Sequence, residues 1–304
     1  MRPVGLTLPT EPMKVSGFTF IRNAVDYDYP IVEAIQSILP LCDEVIVAVG
    51  NSEDGTLELI KSIASEGRIR IIETVWNDSL REGGRVLAEE TDKALAAVSQ
   101  DSDWCIYIQG DEVFHDAGYD ALKFAMQENL HRTEIEGLLL PYRHFYGSYD
   151  YVGTSSKWYR NEIRVIRPRC GIFSFRDAQG FRKLPNQKLR VARVNAFMHH
   201  YGWVKEPEAM QRKQENFHKM WHDDRWISEN VLATDAYDYG RDINQLARFQ
   251  GTHPKVIEAR VQLQNWTFDT DISIDRRTPK DRFKTFCYDQ LGIELGYKNY
   301  LAAR

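Results

Sequence analysis

Short apolar runs alternate with helical spacing over the first hundred residues, and that alternation constrains the fold more than any other feature of the chain. VSGFTFI (15–21), EVIVAV (44–49), RIRIIETV (68–75) and WCIYI (104–108) are β-branched and aromatic runs bounded by turn residues. Helix signals lie between them. One segment opens at Pro30 and runs to about Leu39, a second runs from Leu57 to about Ser65, and GGRVLAEETDKALAAV fills 83–98. Strands separated by helices of this length imply right-handed βαβ units and a mostly parallel sheet flanked by helices, an α/β fold.

The pattern changes after residue 130. EGLLLPYRHFYGSYDYVG (136–153) packs aromatics and glycines in a way that suggests strands and a binding loop, and NEIRVIRP (161–168) and LRVARVNAFMHH (189–200) read as further strands. Helical spacing returns from Pro207 to Trp221, with further helices near 254–264 and 280–291. There are no repeats and no flexible linker, so we expect one α/β domain over 1–204 with a helical C-terminal extension, 205–304, packed on it.

Composition excludes some functions. A net charge of −5 over 304 residues argues against a general nucleic-acid binder. No apolar run approaches the ~20 residues of a membrane-spanning helix, and MRPVGLTLPTEP lacks the apolar core of a secretory signal. A cytoplasmic protein is the expectation. Cys42, Cys105, Cys170 and Cys287 have no C-x-x-C spacing and read as free buried thiols of a reducing compartment. The average charge hides a basic stretch, Arg160 to Arg193, opposed only by Glu162 and Asp177. It suits either a solvated strand face or attraction to a phosphate-bearing ligand or an anionic membrane surface.

Two acids sit where the fourth apolar run stops. IYIQGDEVFH (106–115) places Asp111 and Glu112 after a Gln-Gly turn at a strand's carboxyl end, where open α/β sheets bind ligands. In LCDEVIVAVGNSEDGTLELI a buried strand runs into a polar turn ending Asp54-Gly55-Thr56, which opens a helix; the turn reads either as capping alone or as a ligand loop over the sheet edge.

Taken in order, FIRNA…DEVIVAVGNSEDGT…DWCIYIQGDE resembles the first half of the family-2 glycosyltransferases, which have the GT-A fold. Arg22-Asn23 matches that family's first turn, Ser52, Asp54, Gly55 and Thr56 match its D-S-x-S-x-D-G-T loop, and Asp111-Glu112 match the end of its D-x-D-E. The resemblance spans about 15–115, which becomes the donor half, with 130–204 as the acceptor half. A later strand ending at a histidine, as at His199-His200, is similar to the subgroup that includes lipopolysaccharide-core transferases. Two positions depart from the pattern. The loop aspartate that contacts the base falls near Val49, and the first acid of D-x-D is Gln109, an amide able to hydrogen-bond a ribose or phosphate but a poor metal ligand.

The resemblance implies an inverting transfer from a nucleotide-diphosphate sugar to a hydroxyl acceptor, a glycan or glycolipid of the cell surface. A leaving diphosphate gains charge as the glycosidic bond breaks, and a divalent ion or fixed cations must neutralise it. Mn²⁺ or Mg²⁺ takes one or two hard protein ligands and fills its other positions with phosphate oxygens. Asp111 is the first candidate ligand and His199 or His200 the second; strand alternation points only one histidine of the pair inward, and a packed core pair is the other reading. Glu112 supports the loop. Arg22, Asn23, Asp54, Arg85, Gln109 and Gly110 are candidates for the nucleotide, and Arg81 lies on the same approach. An inverting base belongs on the face opposite the leaving group. Asp177 is preferred, with His144 and Asp150 on the acceptor side; a plain ion pair of Asp177 with Arg176 or Arg182 is the alternative. Tyr146, Tyr149, Tyr151, Trp158 and Tyr159 are numerous enough for a sugar platform or for ordinary packing. His218 and His222, i and i+4 without an intervening acid, read as a solvent-facing pair. The rivals are a non-catalytic sugar-nucleotide or glycan-binding protein and a nucleotidyltransferase, whose Gly-rich lysine loop is missing here.

Overall fold

The computed structural model describes residues 11–64, 67–80, 82–230, 234–241 and 243–303. Its first half runs β1 (Val15–Ile21), α1 (Ile31–Ile38), β2 (Glu44–Val49), α2 (Thr56–Ile63), β3 (Ile69–Glu73), α3 (Arg85–Ala96) and β4 (Trp104–Tyr107). Strands β3, β2, β1 and β4 lie side by side and parallel. The inner three, β2, β1 and β4, are buried on both faces, so their side chains alternate between two apolar layers. Val45, Val47 and Val49 of β2 pack with Ile31 and Ile35 of α1, while Ile46 and Ala48 pack with Val86 and Ala94 of α3. Fully burying an aliphatic side chain of this size stabilises by roughly 1.5–3 kcal/mol. These layers therefore hold the carboxyl ends of β1 and β4 in fixed places.

Next come β5 (Glu112–Phe114), α4 (Tyr119–Glu128), β6 (Gly137–Tyr146), β7 (Ser148–Gly153), β8 (Asn161–Ile166), β9 (Ile172–Phe175), β10 (Gly180–Lys183), β11 (Gln187–Arg193) and β12 (Met198–Trp203). β8 joins β4 antiparallel, which turns the parallel sheet into a mixed one, and β6 follows β8. β6 is long enough to serve two neighbourhoods. Its first residues pair with β11, and its last pair with β12, whose other side takes β5. That switch brings the histidines of β12 over the loop that follows β4.

The remaining described residues form α5 (Pro207–Lys219), α6 (Asp224–Asn230), β13 (Leu246–Arg248), α7 (Glu258–Gln262), α8 (Pro279–Leu291) and β14 (Tyr300–Ala302). This stretch is helical but also donates two short strands, β13 to β7 and β14 to β11. The fold is mixed α/β with one large sheet flanked by helices. Among the described residues no helix is long and apolar enough to cross a membrane.

The basic stretch 160–193 turns much of its charge inward. Arg164 is fully buried, Arg167 lies 4.1 Å from the Trp104 ring centroid and donates to the carbonyls of Ile135 and Leu130, and Arg182 donates to Asn299 Oδ1. Of the four thiols, Cys42, Cys105 and Cys287 are buried and Cys170 is exposed; all are free.

Candidate functional site

A cavity of about 820 Å³ opens at the carboxyl ends of β1 and β4, and Gln109, Gly110 and Asp111 form part of its wall. The loop carrying them is fixed from behind. Glu112 is fully buried and receives Arg164 through two bonds, Nε to Oε2 at 2.9 Å and Nη2 to Oε1 at 2.7 Å. Tyr142 Oη donates to Oε1 at 2.8 Å and the Gln109 backbone N–H donates to Oε2 at 3.1 Å. With four donors on one carboxylate, Glu112 is an anchor and leaves Asp111 to face the cavity.

Asp111 meets β12 and α5 there. Its Oδ2 accepts from Lys213 Nζ at 3.1 Å, and its Oδ1 stands 3.7 Å from His200 Nε2. Lys213 also donates to the Gly202 carbonyl at 2.7 Å and lies 5.0 Å from the Tyr29 ring centroid. Buried Lys205 donates to the Asp28 carbonyl and approaches the same ring at 4.6 Å. Burial alone would push the Asp111 carboxyl up, but the positive charge beside it, Lys213 foremost, outweighs burial and holds it well below the usual carboxylate range. Position 202 has to be glycine for this meeting: a Cβ there would stand 2.5 Å from Asp111 Oδ2 and 2.6 Å from His200 Cε1.

The pair can accommodate a divalent ion. Two donors each about 2.1 Å from a shared ion can be up to ~4.2 Å apart, and Asp111 Oδ1 and His200 Nε2 fall within that span. Among the described residues no third His, Cys, Asp or Glu completes a cluster, so the other positions would fall to phosphate oxygens and water. His199 does not take part. On the opposite face of β12 its Nδ1 contacts Tyr201 Oη at 3.2 Å and its ring packs 5.1 Å from those of Phe145 and His115.

Asp177 reaches the cavity from the β9–β10 turn. Its neighbours Arg176 and Ala178 both have positive φ, 60° and 63°, in the left-handed region that non-glycine residues rarely adopt. The turn packs on Gly84, where a Cβ would come within 2.7 Å of Asp177 Cβ. Arg182 is taken by Asn299, and Arg176 lies over the Phe175 and Tyr297 rings, so neither expected ion pair forms. Burial raises the Asp177 carboxyl, against Arg176 and Arg164. Desolvation therefore outweighs the nearby cations, and the group is a stronger base than an exposed aspartate.

Other candidates sort cleanly. Arg22 lines the cavity, and with Asn23 it borders an adjoining recess of about 290 Å³. Among the described residues, Arg22 Nε, Asn23 Oδ1 and Trp76 Nε1 are buried without a hydrogen-bond partner, and all three belong to residues walling these spaces. Such atoms are costly unless a ligand meets them. Asp54 is no part of either wall; its oxygens bind the Val25, Asp26 and Thr56 N–H groups and Thr56 Oγ1, tying the two loops together. Arg85 is exposed and off the wall, as is Asp150. Arg81 lies outside the described residues. His144 lines the cavity but both ring nitrogens are engaged, so it is not an available base: Nε2 contacts the Tyr159 carbonyl at 2.8 Å and Nδ1 contacts His200 Nδ1 at 3.3 Å. Of the aromatics, Trp158 and Tyr159 line the cavity, while Tyr146, Tyr149 and Tyr151 are buried in packing. His218 also lines it, and His222 stacks on Trp226 at 3.5 Å.

Sequence reasoning missed Lys205, Lys213 and Trp203. Lys213 follows Asp111 by 102 positions, and nothing local in VKEPEAMQRK marks one lysine as buried against a carboxylate.

No family model matches the sequence, and no curated protein matches it. Solved structures with some likeness include S. aureus TarS 1–349 in complex with UDP, 20% identical over 44% of this chain and 37% of that one, with a TM-score of 0.34. S. aureus TarS is 14% identical over 73% and 41%, TM-score 0.39. The mannosyltransferase PcManGT from Pyrobaculum calidifontis, in complex with GDP-Man and Mn²⁺, is 17% identical over 43% and 36%, TM-score 0.33. The matches span about two fifths of the length of each of those chains. These likenesses are partial, and the site stands on the chain's own geometry.

Proposed function

We propose that this chain is an inverting glycosyltransferase of GT-A architecture. It moves a sugar from a nucleoside-diphosphate donor to a hydroxyl acceptor, in the synthesis of a cell-surface polysaccharide or glycolipid. One observation carries the reading: Asp111, His200 and Lys213 converge at the carboxyl end of a parallel sheet, in the cavity that also holds Asp177, half-buried and without an ion-pair partner among the described residues. This is the electrostatic layout a leaving diphosphate and a deprotonated acceptor require.

In this reading the donor's nucleotide lies along β1 and β2, against Arg22, Asn23 and Trp76, whose partnerless atoms meet it, with Gln109 and Gly110 beneath its phosphates. Asp111 and His200 would hold Mn²⁺ or Mg²⁺, which would supply positive charge to neutralise the leaving diphosphate. Lys213 adds a fixed positive charge beside the same oxygens. Asp177 takes the proton of the acceptor hydroxyl, and Trp158, Tyr159 and Trp203 give its ring apolar faces. Residues 15–115 then serve the donor, 130–204 the acceptor, and the 205–304 extension closes the cavity through α5. A lipid-linked acceptor would bring the chain to the inner face of a membrane.

The test is a panel of uridine and guanosine diphosphate sugars, with and without Mn²⁺. Thermal shift reads binding, because a ligand selective for the folded state raises the melting point; release of nucleoside diphosphate reads turnover. We expect one donor class to stabilise the chain in Mn²⁺ and to be consumed with acceptor. Binding without turnover against any acceptor leaves the non-catalytic sugar-nucleotide binder, and no binding rejects the reading.

A further inference from the structure

His144 stands just behind the site, and its hydrogen bonds have a direction. The Tyr159 carbonyl can only accept, so His144 Nε2, 2.8 Å away, must carry a proton. His144 is almost completely buried among the Tyr159 carbonyl, His200 and the rings of Tyr142, Trp158 and Tyr159, where a second ring proton would be a buried charge without a counter-ion, so its Nδ1 has a bare lone pair. That lone pair faces His200 Nδ1 at 3.3 Å, and His200 must donate across the gap. A neutral His200 that is protonated on Nδ1 has no proton left on Nε2, the atom 3.7 Å from Asp111 Oδ1. The Trp158 ring stacks on His144 with centroids 5.2 Å apart and the Tyr159 ring meets it edge-on at 4.2 Å, which packs the imidazole in this orientation.

We propose that His144 is a positioning residue: the chain from the Tyr159 carbonyl through His144 to His200 fixes the His200 tautomer, so that Nε2 presents a lone pair beside Asp111. This deepens the proposed function, since a partner of this kind orients and strengthens a metal-ligating imidazole and its loss typically weakens metal binding 10–100-fold. It rests on that reading only for the identity of what the lone pair meets.

Two measurements keep the two ideas separable. The first is ¹⁵N NMR of the whole chain with labelled histidine and no metal added. His200 should show a protonated Nδ1 and an unprotonated Nε2, and His144→Phe, which fills the space but accepts nothing, should abolish that single-tautomer pattern. A His200 protonated on Nε2, or one unchanged in His144→Phe, overturns the proposal whatever the protein binds. The second is titration with Mn²⁺ alone, read by the electron paramagnetic resonance of the free ion. His144→Phe should weaken binding by about 10–100-fold. His144→Gln should recover most of it, because its amide can accept from His200 through oxygen and donate to Tyr159 through nitrogen. Wild-type affinity in His144→Phe would mean that His144 merely fills space, and equal losses in the two variants would mean that its hydrogen bonds are not what positions His200; either overturns the proposal. If the wild type binds no Mn²⁺ while the NMR pattern holds, the positioning role stands and the metal part of the proposed function falls.

Discussion

The buried pair Glu112–Arg164 offers the most exacting test of how the site is built, through Glu112→Gln. Both side chains are wholly removed from water, and the carboxylate takes two bonds from Arg164, one from Tyr142 and one from the Gln109 backbone. The amide keeps the volume but removes the charge, and turns one acceptor oxygen into a donor. Either the Tyr142 side or the Gln109 side must then lose its partner, while the guanidinium stays buried without an anion. Breaking one side of a buried pair costs roughly 3–5 kcal/mol, whereas replacing both partners with apolar groups of similar size is often close to neutral. At about 2–4 °C per kcal/mol for a chain of this order of size, the melting point should fall by roughly 6–20 °C. Urea unfolding followed by far-ultraviolet circular dichroism gives the free energy directly. In a cycle with Arg164→Met the double variant should be less damaged than the sum of the singles, by about 2 kcal/mol or more. A Glu112→Gln protein within ~1 kcal/mol of wild type, or strict additivity, refutes the anchor role. Such a result would also remove the reason Asp111 faces the cavity.

Asp111→Asn should fold with an unchanged far-ultraviolet spectrum yet lose Mn²⁺ binding and cut transfer by about 10²–10³-fold, measured by donor turnover. Asp177→Asn should lower kcat by about 10²–10⁴-fold with little change in donor affinity; burial raises this carboxyl, so the acid limb of the wild-type rate profile should lie above the ordinary aspartate range. The same raised value means that the folded state holds this proton more tightly than the unfolded chain, a contribution lost as pH rises through it, so Asp177→Asn should also melt higher than wild type at neutral pH. Glu162, buried and bonded to Gln179, is pushed up to about 8 chiefly by burial. Wild-type stability should therefore decline by about 1.4 kcal/mol per pH unit from the ordinary glutamate range up to that value, and Glu162→Gln should flatten the decline in urea titrations at stepped pH.

The parts of the fold that could be read from sequence are those in which burial acts on both faces of a strand. β1, β2 and β4 are continuous apolar runs because each packs between two helical layers, and such a run has few alternative fates. β5 and β14, three residues each, have no pattern of their own and exist only because β12 and β11 offer an edge. The β9–β10 hairpin escaped for another reason. Its turn places Arg176 and Ala178, not glycines, in the left-handed region, so the usual turn chemistry is missing from the sequence. In α4, by contrast, Leu122, Ala125 and Met126 carry helical spacing that is legible in the sequence.

The site divides along the same line. Asp111 was legible because it follows a strand end directly. Which histidine joins it was settled by β12's pairing with β5 and β6, which turns His200 toward Asp111 and His199 into the packing of Phe145 and His115. The lysines were not legible, because a lysine on α5 looks solvated until the helix is placed. The charge balance follows from that placement. Lys213 compensates Asp111 within the chain alone, yet it occupies only Oδ2 and leaves Oδ1 beside the imidazole. A carboxylate neutralised on both oxygens would have little attraction for a cation, and one neutralised on neither would destabilise the folded chain in a buried wall. Half-compensation meets both demands: it keeps the empty cavity stable and leaves one oxygen able to bind, while the ammonium that supplies it stands ready for the phosphates. Lys213→Met should therefore destabilise the chain and weaken nucleoside diphosphate binding, yet tighten Mn²⁺ binding in the absence of nucleotide. A Lys213→Met protein that loses Mn²⁺ affinity as well would show that the lysine organises the carboxylate rather than balancing it.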